Sequence, residues 1–117
     1  CTTGRAVMAA AAQNLCPVTL ELGGKAPSVV CDDFPLRTAA ERILYVKYLN
    51  AGQICTTVDH VFVPRAQVRA FAELAASIVP ARYPRLESAD YTSIVDERSF
   101  DRLLERINIV HGDDLGE

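Results

Sequence analysis

The sequence lacks the features that several protein classes require. No stretch approaches the roughly 20 apolar residues of a membrane-spanning helix, and the longest apolar patch, residues 6–12, is followed by Gln13 and Asn14. Basic residues are not in excess, since 12 Lys and Arg against 15 Asp and Glu give a net charge of −3. Nucleic acids and anionic membranes attract clustered Lys and Arg. We therefore expect neither nucleic acid nor a membrane as the main partner.

Paired cysteines are missing as well. None of the four cysteines, Cys1, Cys16, Cys31 and Cys55, belongs to a CxxC pair, which argues against a zinc ribbon or a thioredoxin-type site. Cys16 and Cys31 lie among apolar residues and are predicted to be small buried side chains. The helical and strand patterns are long enough to fold without disulfides, so we expect a reducing, cytoplasmic setting.

A natural start and stop are not evident either. The first residue is Cys rather than Met, no basic and apolar leader follows it, and the last residues come directly after a helical pattern. We therefore expect the 117 residues to be an internal piece of a longer protein. Half of them are apolar, which suffices for the core of one small domain.

Helix and strand patterns alternate along the chain. An Ala-rich helix is predicted over residues 3–15, followed by short strands at 18–22 and 28–31. An amphipathic helix from about 36 to 50 leads into a loop at 51–57 and a strand at 60–63. A helix at 68–79, a loop at 81–92 and a helix around 100–107, capped by Asp96, complete the pattern. This alternation predicts an α/β fold with a parallel sheet.

Cys55 is a candidate reactive thiol because of its setting. It follows a helix and lies in a predicted loop, where a side chain is accessible to ligands. Its neighbours Gln53, Thr56 and Thr57 are polar and uncharged. The local sequence leaves two interpretations equally open: a reactive thiol, or an ordinary buried cysteine at a helix end.

Glu21 lies between two leucines, directly before Gly23 and Gly24. Burial would raise the pKa of its carboxyl group toward neutrality, which suits a general base. The alternation of polar and apolar residues also fits a solvated strand edge, and the local pattern favours that interpretation. Lys25 is either a surface charge or a partner for Glu21.

Other polar residues are interpreted as structural. His60 follows Cys55 by five residues, and a Cys–His dyad is conceivable, but no geometric argument brings the two side chains together. The acidic pair Asp32 and Asp33 is typical of a turn, and we predict no metal site.

Two motifs together resemble those of one family. Residues 21–27, Glu-Leu-Gly-Gly-Lys-Ala-Pro, resemble the glutamate motif of the aldehyde dehydrogenase superfamily, and residues 52–55, Gly-Gln-Ile-Cys, resemble its cysteine motif. Their separation, 34 residues between Glu21 and Cys55, is the one expected in that family. The stretch that begins at Gly4 is similar to the one after the family's nucleotide-binding turn. Residues 50–53, 58–64 and 91–95 are most similar to the coniferyl-aldehyde dehydrogenase subgroup, although Thr57 stands where the wider family usually has Ala or Gly.

The resemblance implies an incomplete α/β fold. Residues 1–23 would form the end of a Rossmann-like nucleotide-binding domain, and residues 24–117 the first part of the catalytic domain that carries the thiol. It also implies oxidation of an aldehyde, of aromatic, coniferyl type in the subgroup, with NAD or NADP as cofactor. The complete protein would be a homodimer or homotetramer.

Site residues follow from the same resemblance. Cys55 would be the catalytic thiol and Glu21 the general base, Leu22 and Gly23 would lie against the nicotinamide, and Gly4 would lie near the pyrophosphate. The chain alone is expected to be inactive, because other parts of these sites lie outside it. Two alternatives stay open: a cysteine-dependent hydrolase or acyltransferase without a nicotinamide cofactor, and a non-catalytic homologue.

Overall fold

In a computed structural model of the chain, residues 1–113 are described, with side chains as far as Ile107. Helices and strands alternate in this part of the chain, as the sequence predicts. Their order is α1 (Thr2–Ala12), β1 (Ala26–Val29), α2 (Leu36–Tyr48), β2 (Val58–Phe62), α3 (Val68–Arg82) and α4 (Glu97–Asp113), with short 3-10 segments at Leu49–Gly52 and Arg65–Gln67.

The centre of the fold is a β1–α2–β2 unit. The two strands pair in parallel, with Ser28 opposite Val61 and Val29 opposite Phe62, and α2 provides the crossover that a parallel pair needs. Just past β1, the Val30 N–H donates to the Phe62 carbonyl at 2.9 Å. The predicted parallel α/β arrangement is confirmed.

One face of this unit is packed and the other is open. Val30, Ala39 and Ile43 form the buried cluster between the strands and α2, and Ala40 is completely buried. Phe71 on α3 packs against the same cluster from outside. The amphipathic pattern of α2 therefore has a direct structural cause, since its apolar stripe faces the sheet and α3.

The predicted strand at residues 18–22 is wrong. These residues have no regular hydrogen-bonded structure, and the strands in the described part of the chain, β1 and β2, pair only with each other. Leu20 and Leu22 pack on α1 instead, where a methyl group added to the buried Gly4 would lie 3.0 Å from Leu22 Cδ2.

One helix continues past its predicted end, and the predicted cap of another is confirmed. α3 continues to Arg82 with Pro80 inside it; a proline removes one backbone donor, but the next turn still closes through a 2.9 Å hydrogen bond from the Tyr83 N–H to the Val79 carbonyl. The predicted cap of α4 is confirmed, as Asp96 Oδ1 accepts from the Ser99 N–H at 2.7 Å. That bond holds the pKa of Asp96 below its ordinary value.

The four cysteines are free and exposed. The prediction that Cys16 and Cys31 are buried is therefore wrong. Cys16 lies in the irregular segment after α1, and Cys31 begins the turn between β1 and α2, so apolar neighbours in sequence do not enclose either side chain. None of the helices in the described part of the chain is long and apolar enough to cross a membrane.

Candidate active site

Cys55 lies on a loop between α2 and β2. Residues 49–57, which we call the Cys55 loop, end in a turn closed by a 3.0 Å hydrogen bond from the Thr57 N–H to the Ile54 carbonyl. The Cys55 side chain is exposed at this turn, and β2 begins directly after it at Val58. Of the two interpretations of Cys55, the accessible thiol is the one that the structure supports.

The Cys55 loop begins with a left-handed stretch of backbone. Asn50 and Ala51 both have φ of 53° and Gly52 has φ of 75°. Side chains at such angles cost about 1–2 kcal/mol each, and only glycine adopts them freely. A methyl group at Gly52 would also lie 3.2 Å from the Lys47 carbonyl. The stretch follows α2 directly and leads into the turn that carries Cys55, whose carbonyl lies close to Gly24.

Thr57 has a clear structural role in this loop. Its hydroxyl donates to the Val46 carbonyl at 3.4 Å, near the C-terminus of α2, where the last carbonyls lack partners within the helix. The residue that departs from the family's usual Ala or Gly therefore joins the Cys55 loop to the end of α2.

The Gly23–Gly24 segment lies directly against the Cys55 loop. A methyl group added at Gly24 would lie 3.0 Å from the Cys55 carbonyl oxygen, so the two main chains meet at a distance that leaves no room for a side chain. Gly23 has φ of 113°, and the space beside its Cα is open within 4 Å. The two glycines of the first motif are thus explained by close approach and by backbone conformation.

One cleft of about 610 Å³ joins these pieces. Its walls come from the glycine segment, the Cys55 loop, a segment before α4, and α4 itself. The lining residues are Leu22, Gly23, Gly24, Gly52, Gln53, Ile54, Cys55, Thr57, Ile94, Val95, Ser99, Arg102 and Leu103. The volume is in the range of small-molecule sites.

The structure brings only some of the predicted site residues together. Cys55, Leu22 and Gly23 share the cleft. Glu21 is exposed and does not line the cleft, although it precedes Leu22 in the chain. Gly4 lies on the buried side of α1. The roles predicted for Glu21 and Gly4 stay predictions.

Lys25 and His60 both interact with Asp59. Lys25 Nζ lies 3.1 Å from Asp59 Oδ1, so the suggested pairing of Lys25 with Glu21 is replaced by a link to β2. His60 Nδ1 lies 3.3 Å from Asp59 Oδ2. The hydrogen bond from Lys25, followed by that from His60, holds the pKa of Asp59 below its ordinary value. These contacts explain His60 as structural.

Sequence reasoning missed the far wall of the cleft. Ile94, Val95 and Arg102 line this wall and were not predicted as site residues, although residues 91–95 resemble the coniferyl-aldehyde dehydrogenase subgroup. Three tyrosines hold the preceding loop near the end of α2: the ring centroids of Tyr83 and Tyr91 lie 5.6 and 6.2 Å from that of Tyr48, and burial raises the pKa of Tyr91. These three tyrosines are visible in the sequence, but their irregular spacing does not predict that their rings contact one another.

Among the described side chains, no group of three or more His, Cys, Asp or Glu is placed to hold a metal ion. Cys55 gives the cleft an accessible thiol, and the Gly23–Gly24 segment beside it is main chain without side chains. An open backbone surface of this kind permits close approach of a flat ligand.

Comparison with known proteins gives a consistent result. A sequence profile of the aldehyde dehydrogenase family matches residues 1–114. The chain is 49% identical to a coniferyl aldehyde dehydrogenase of Pseudomonas sp. over 98 residues, which cover 83% of this chain and 20% of that protein. It is 39% identical to a dimeric NADP-preferring aldehyde dehydrogenase of Rattus norvegicus over 114 residues, which cover 93% of this chain and 25% of that protein.

A solved structure agrees. The substrate-bound state of AldH from Staphylococcus aureus superposes with a TM-score of 0.81 at 33% identity, covering 92% of this chain and 24% of that one. The chain thus spans about a fifth to a quarter of the length of the relatives it matches. The predicted fold class and the resemblance to coniferyl aldehyde dehydrogenases are confirmed. On its sequence and its fold, the chain belongs to the aldehyde dehydrogenase family.

Proposed function

We propose that the full-length protein containing this chain oxidises an aldehyde to a carboxylic acid, with NAD or NADP as hydride acceptor. The observation that carries the proposal is the contact between Gly24 and the Cys55 carbonyl, which joins the two motifs along one cleft. Close main-chain packing of two motifs that are 34 residues apart in sequence places a backbone segment without side chains beside the thiol, where a flat ligand can approach.

Cys55 supplies the nucleophile. Its thiolate attacks the aldehyde carbon, which forms a carbon–sulfur bond and places the electron pair on oxygen as a thiohemiacetal. The Cys55 backbone N–H donates a hydrogen bond to this oxyanion. Loss of hydride from the adduct leaves a thioester on Cys55, so that one difficult oxidation is divided into two easier steps.

The residues beside Cys55 fit a nicotinamide ring. Open space next to Gly23 Cα leaves a side-chain-free surface at the cleft, where Leu22 and Gly23 would lie against the ring and Gly4 near the pyrophosphate. When bound, the nicotinamide supplies the acceptor for the hydride.

Glu21 is proposed as the general base for hydrolysis. Its carboxylate would take a proton from water as the water attacks the thioester, which releases the carboxylic acid and regenerates the thiol. Glu21 is exposed and lies two residues before Gly23, which lines the cleft. Rotation of its side chain therefore changes the distance between its carboxylate and Cys55.

The finer assignments belong to the same proposal. The aldehyde is of aromatic, coniferyl type, by similarity to the Pseudomonas enzyme. Residues 1–23 end the nucleotide-binding domain and residues 24–117 begin the catalytic domain, so the boundary falls at the glycine pair. The complete protein is a cytoplasmic homodimer or homotetramer.

The test uses the full-length protein and the absorbance of reduced cofactor. Replacing Cys55 with Ala removes the nucleophile, and we expect a fall in kcat of about 10³-fold or more. In Glu21→Gln, a first-turnover burst of reduced cofactor should persist while steady-state turnover falls by about 10²-fold, because a general base contributes about 10²–10⁴. Cys31→Ala, a change at another exposed cysteine, is the matched control and should retain activity.

The same assays separate the alternatives. Product formation that does not need NAD or NADP would indicate a cysteine hydrolase or acyltransferase. Full dehydrogenase activity in Cys55→Ala would overturn the assignment of the thiol. A complete lack of aldehyde-dependent reduction of either cofactor by the parent protein would favour the non-catalytic homologue.

A further inference from the structure

Gln53 makes more contacts than its position in the motif suggests. Its amide nitrogen donates to the Asn50 carbonyl and to the Ser93 carbonyl, each at 3.0 Å. Its amide oxygen accepts from the Val95 N–H at 2.8 Å. The side chain is therefore bonded at both ends, once within the Cys55 loop and twice to a segment about 40 residues later in the sequence.

The pattern of donors and acceptors specifies an amide. Both hydrogens of the NH₂ group are directed at carbonyl oxygens, and the amide oxygen receives an N–H. A glutamate of the same shape would bring a charged oxygen to two carbonyls, and a methionine would bond to none of them. A residue of equal size without the amide would leave these three backbone groups without their side-chain partner, so the set of partners favours Gln.

The first bond holds the left-handed stretch. The Asn50 carbonyl accepts from both the backbone N–H and the side chain of Gln53, each at 3.0 Å, while Asn50 Nδ2 donates back to the Gln53 carbonyl at 3.3 Å. Asn50 and Ala51 have φ of 53°, a conformation that persists only where surrounding contacts enforce it. The direction in which the chain enters Cys55, two residues on, depends on this turn.

The other two bonds fix the opposite wall of the cleft. Ser93 and Val95 flank Ile94, and both Ile94 and Val95 line the cleft that contains Cys55. The residues from 92 to 95 have no regular secondary structure, so hydrogen bonds within a helix or sheet do not hold them. Gln53 thus couples the wall formed by Ile94 and Val95 to the loop that carries the thiol.

We propose that Gln53 is a positioning residue, which sets the orientation of Cys55 relative to the wall formed by Ile94 and Val95 and so controls the rate of the chemical step. It acts through the Cys55 loop and does not contact the reacting atoms. The inference rests on the proposed function for its effect on turnover, while the hydrogen bonds themselves are testable without it. Reacting groups misplaced by about 1 Å lose about 10²-fold in rate, so a small shift of the loop is enough.

The experiment compares Gln53→Met with Gln67→Met in the full-length protein. Gln67 is another partly buried glutamine, and its side-chain oxygen has no hydrogen-bond partner among the described residues, so the control removes the same groups without removing a known bond. In Gln53→Met we expect kcat, normalised to titrated active thiol, to fall about tenfold or more, while the KM for the cofactor changes by less than about threefold. Gln67→Met should retain kcat.

A second measurement reads the hydrogen bonds directly. Amide hydrogen exchange of the full-length protein should show the Val95 amide exchanging about tenfold faster in Gln53→Met than in the parent, since its acceptor is gone. Gln67→Met should leave this amide unchanged. Because exchange requires no aldehyde, a parent protein that fails to oxidise aldehydes would refute the proposed function and still allow the contact to be tested.

Two results would overturn the inference. Unchanged exchange at Val95 in Gln53→Met would show that the hydrogen bonds do not form. Faster exchange with an unchanged normalised kcat, or with kcat and cofactor KM altered to the same degree, would show that the bonds are structural and do not position Cys55.

Discussion

The β1–α2–β2 unit and the Cys55 loop lie next to each other in the chain but differ in what fixes their conformation. In the unit, apolar side chains such as Val30 and Ile43 are buried between the strands and α2. The loop contains no buried residue and holds an unfavourable left-handed backbone at Asn50 and Ala51. Its shape depends on hydrogen bonds and on the close approach of Gly24.

The difference shows how the fold divides its tasks. Burial of apolar area provides stability without regard to direction, so the unit tolerates changes that preserve volume and pattern. Hydrogen bonds and bare backbone contacts are directional, so they place one atom, the Cys55 sulfur, at the cost of local strain. Changes in the unit should therefore act mainly on stability, and changes around the loop mainly on turnover.

The largest effect on stability is expected at Ile43. Its side chain is buried at 8% exposure between α2 and the sheet, and truncation leaves a cavity. We expect Ile43→Ala to lower the free energy of unfolding by about 2–5 kcal/mol, against about 1 kcal/mol for Ile43→Val. Urea unfolding of the full-length protein measures both values.

The matched control for Ile43→Ala is Val46→Ala on the same helix, where the side chain is 37% exposed. This substitution should cost clearly less, because fewer apolar contacts are lost. If kcat per folded molecule also falls sharply in Ile43→Ala, the separation between the stabilising unit and the loop is weaker than we infer.

A smaller effect on stability and a larger one on turnover are expected at Gly24. Gly24→Ala places a methyl group 3.0 Å from the Cys55 carbonyl, so one main chain must move. We expect kcat to fall about tenfold or more and the free energy of unfolding to fall by about 1–3 kcal/mol.

Gly23→Ala provides the contrast to Gly24→Ala. No protein atom within 4 Å meets the added methyl group, but φ of 113° makes the residue strained. We expect a stability cost of about 1–3 kcal/mol and a raised KM for the cofactor, with kcat affected less. Steady-state kinetics measure kcat and the cofactor KM of both variants. If the two variants change kcat and KM in the same proportion, the proposed difference between Gly23 and Gly24 is refuted.

Much of the β1–α2–β2 unit was predictable because its signals are local. The apolar spacing of α2 reflects the burial of Ala39, Ala40 and Ile43, and the short apolar run around β1 contains the buried Val30. Residues 18–22 have an equally strong strand pattern, yet a strand also requires a neighbour to pair with. The prediction that Cys16 and Cys31 are buried was wrong for a related reason, since apolar neighbours in sequence do not determine what encloses a side chain.

The site was predictable only in part. The positions of Glu21, Gly23 and Cys55 follow from motif resemblance, and the Gly24 contact gives the glycine pair a physical reason. The bonds from Gln53 to Ser93 and Val95 join residues about 40 positions apart, and both partners are backbone groups. Their side chains therefore carry no signal of the contact, and sequence reading could not find it.

The smallest effect is expected at the ion pair that links the Gly23–Gly24 segment to β2. Lys25 lies directly after Gly24, and its ammonium group hydrogen-bonds to Asp59 and lowers the pKa of that carboxyl group. A carboxyl group whose pKa is lowered in the folded state stabilises that state in full above its unfolded pKa of about 3.9. This stabilisation is lost as the pH falls through the pKa of the folded state. Lys25 is 81% exposed, so solvent screens the pair and the effect is small.

Asp59→Asn should therefore lower the thermal unfolding midpoint slightly at neutral pH, and the gap to the parent should narrow as the pH falls below about 4. Added salt should narrow it as well, because exposed charges are screened within about 10 Å at 0.1 M. Asp33→Asn, which changes an exposed carboxylate in the turn before α2 with no ion pair among the described residues, is the control and should match the parent throughout.

Turnover should change little in either variant, because the Cys55 loop is held by Gln53 and Gly24. A tenfold loss of kcat in Asp59→Asn would mean that this surface pair, too, positions the glycine segment against the thiol.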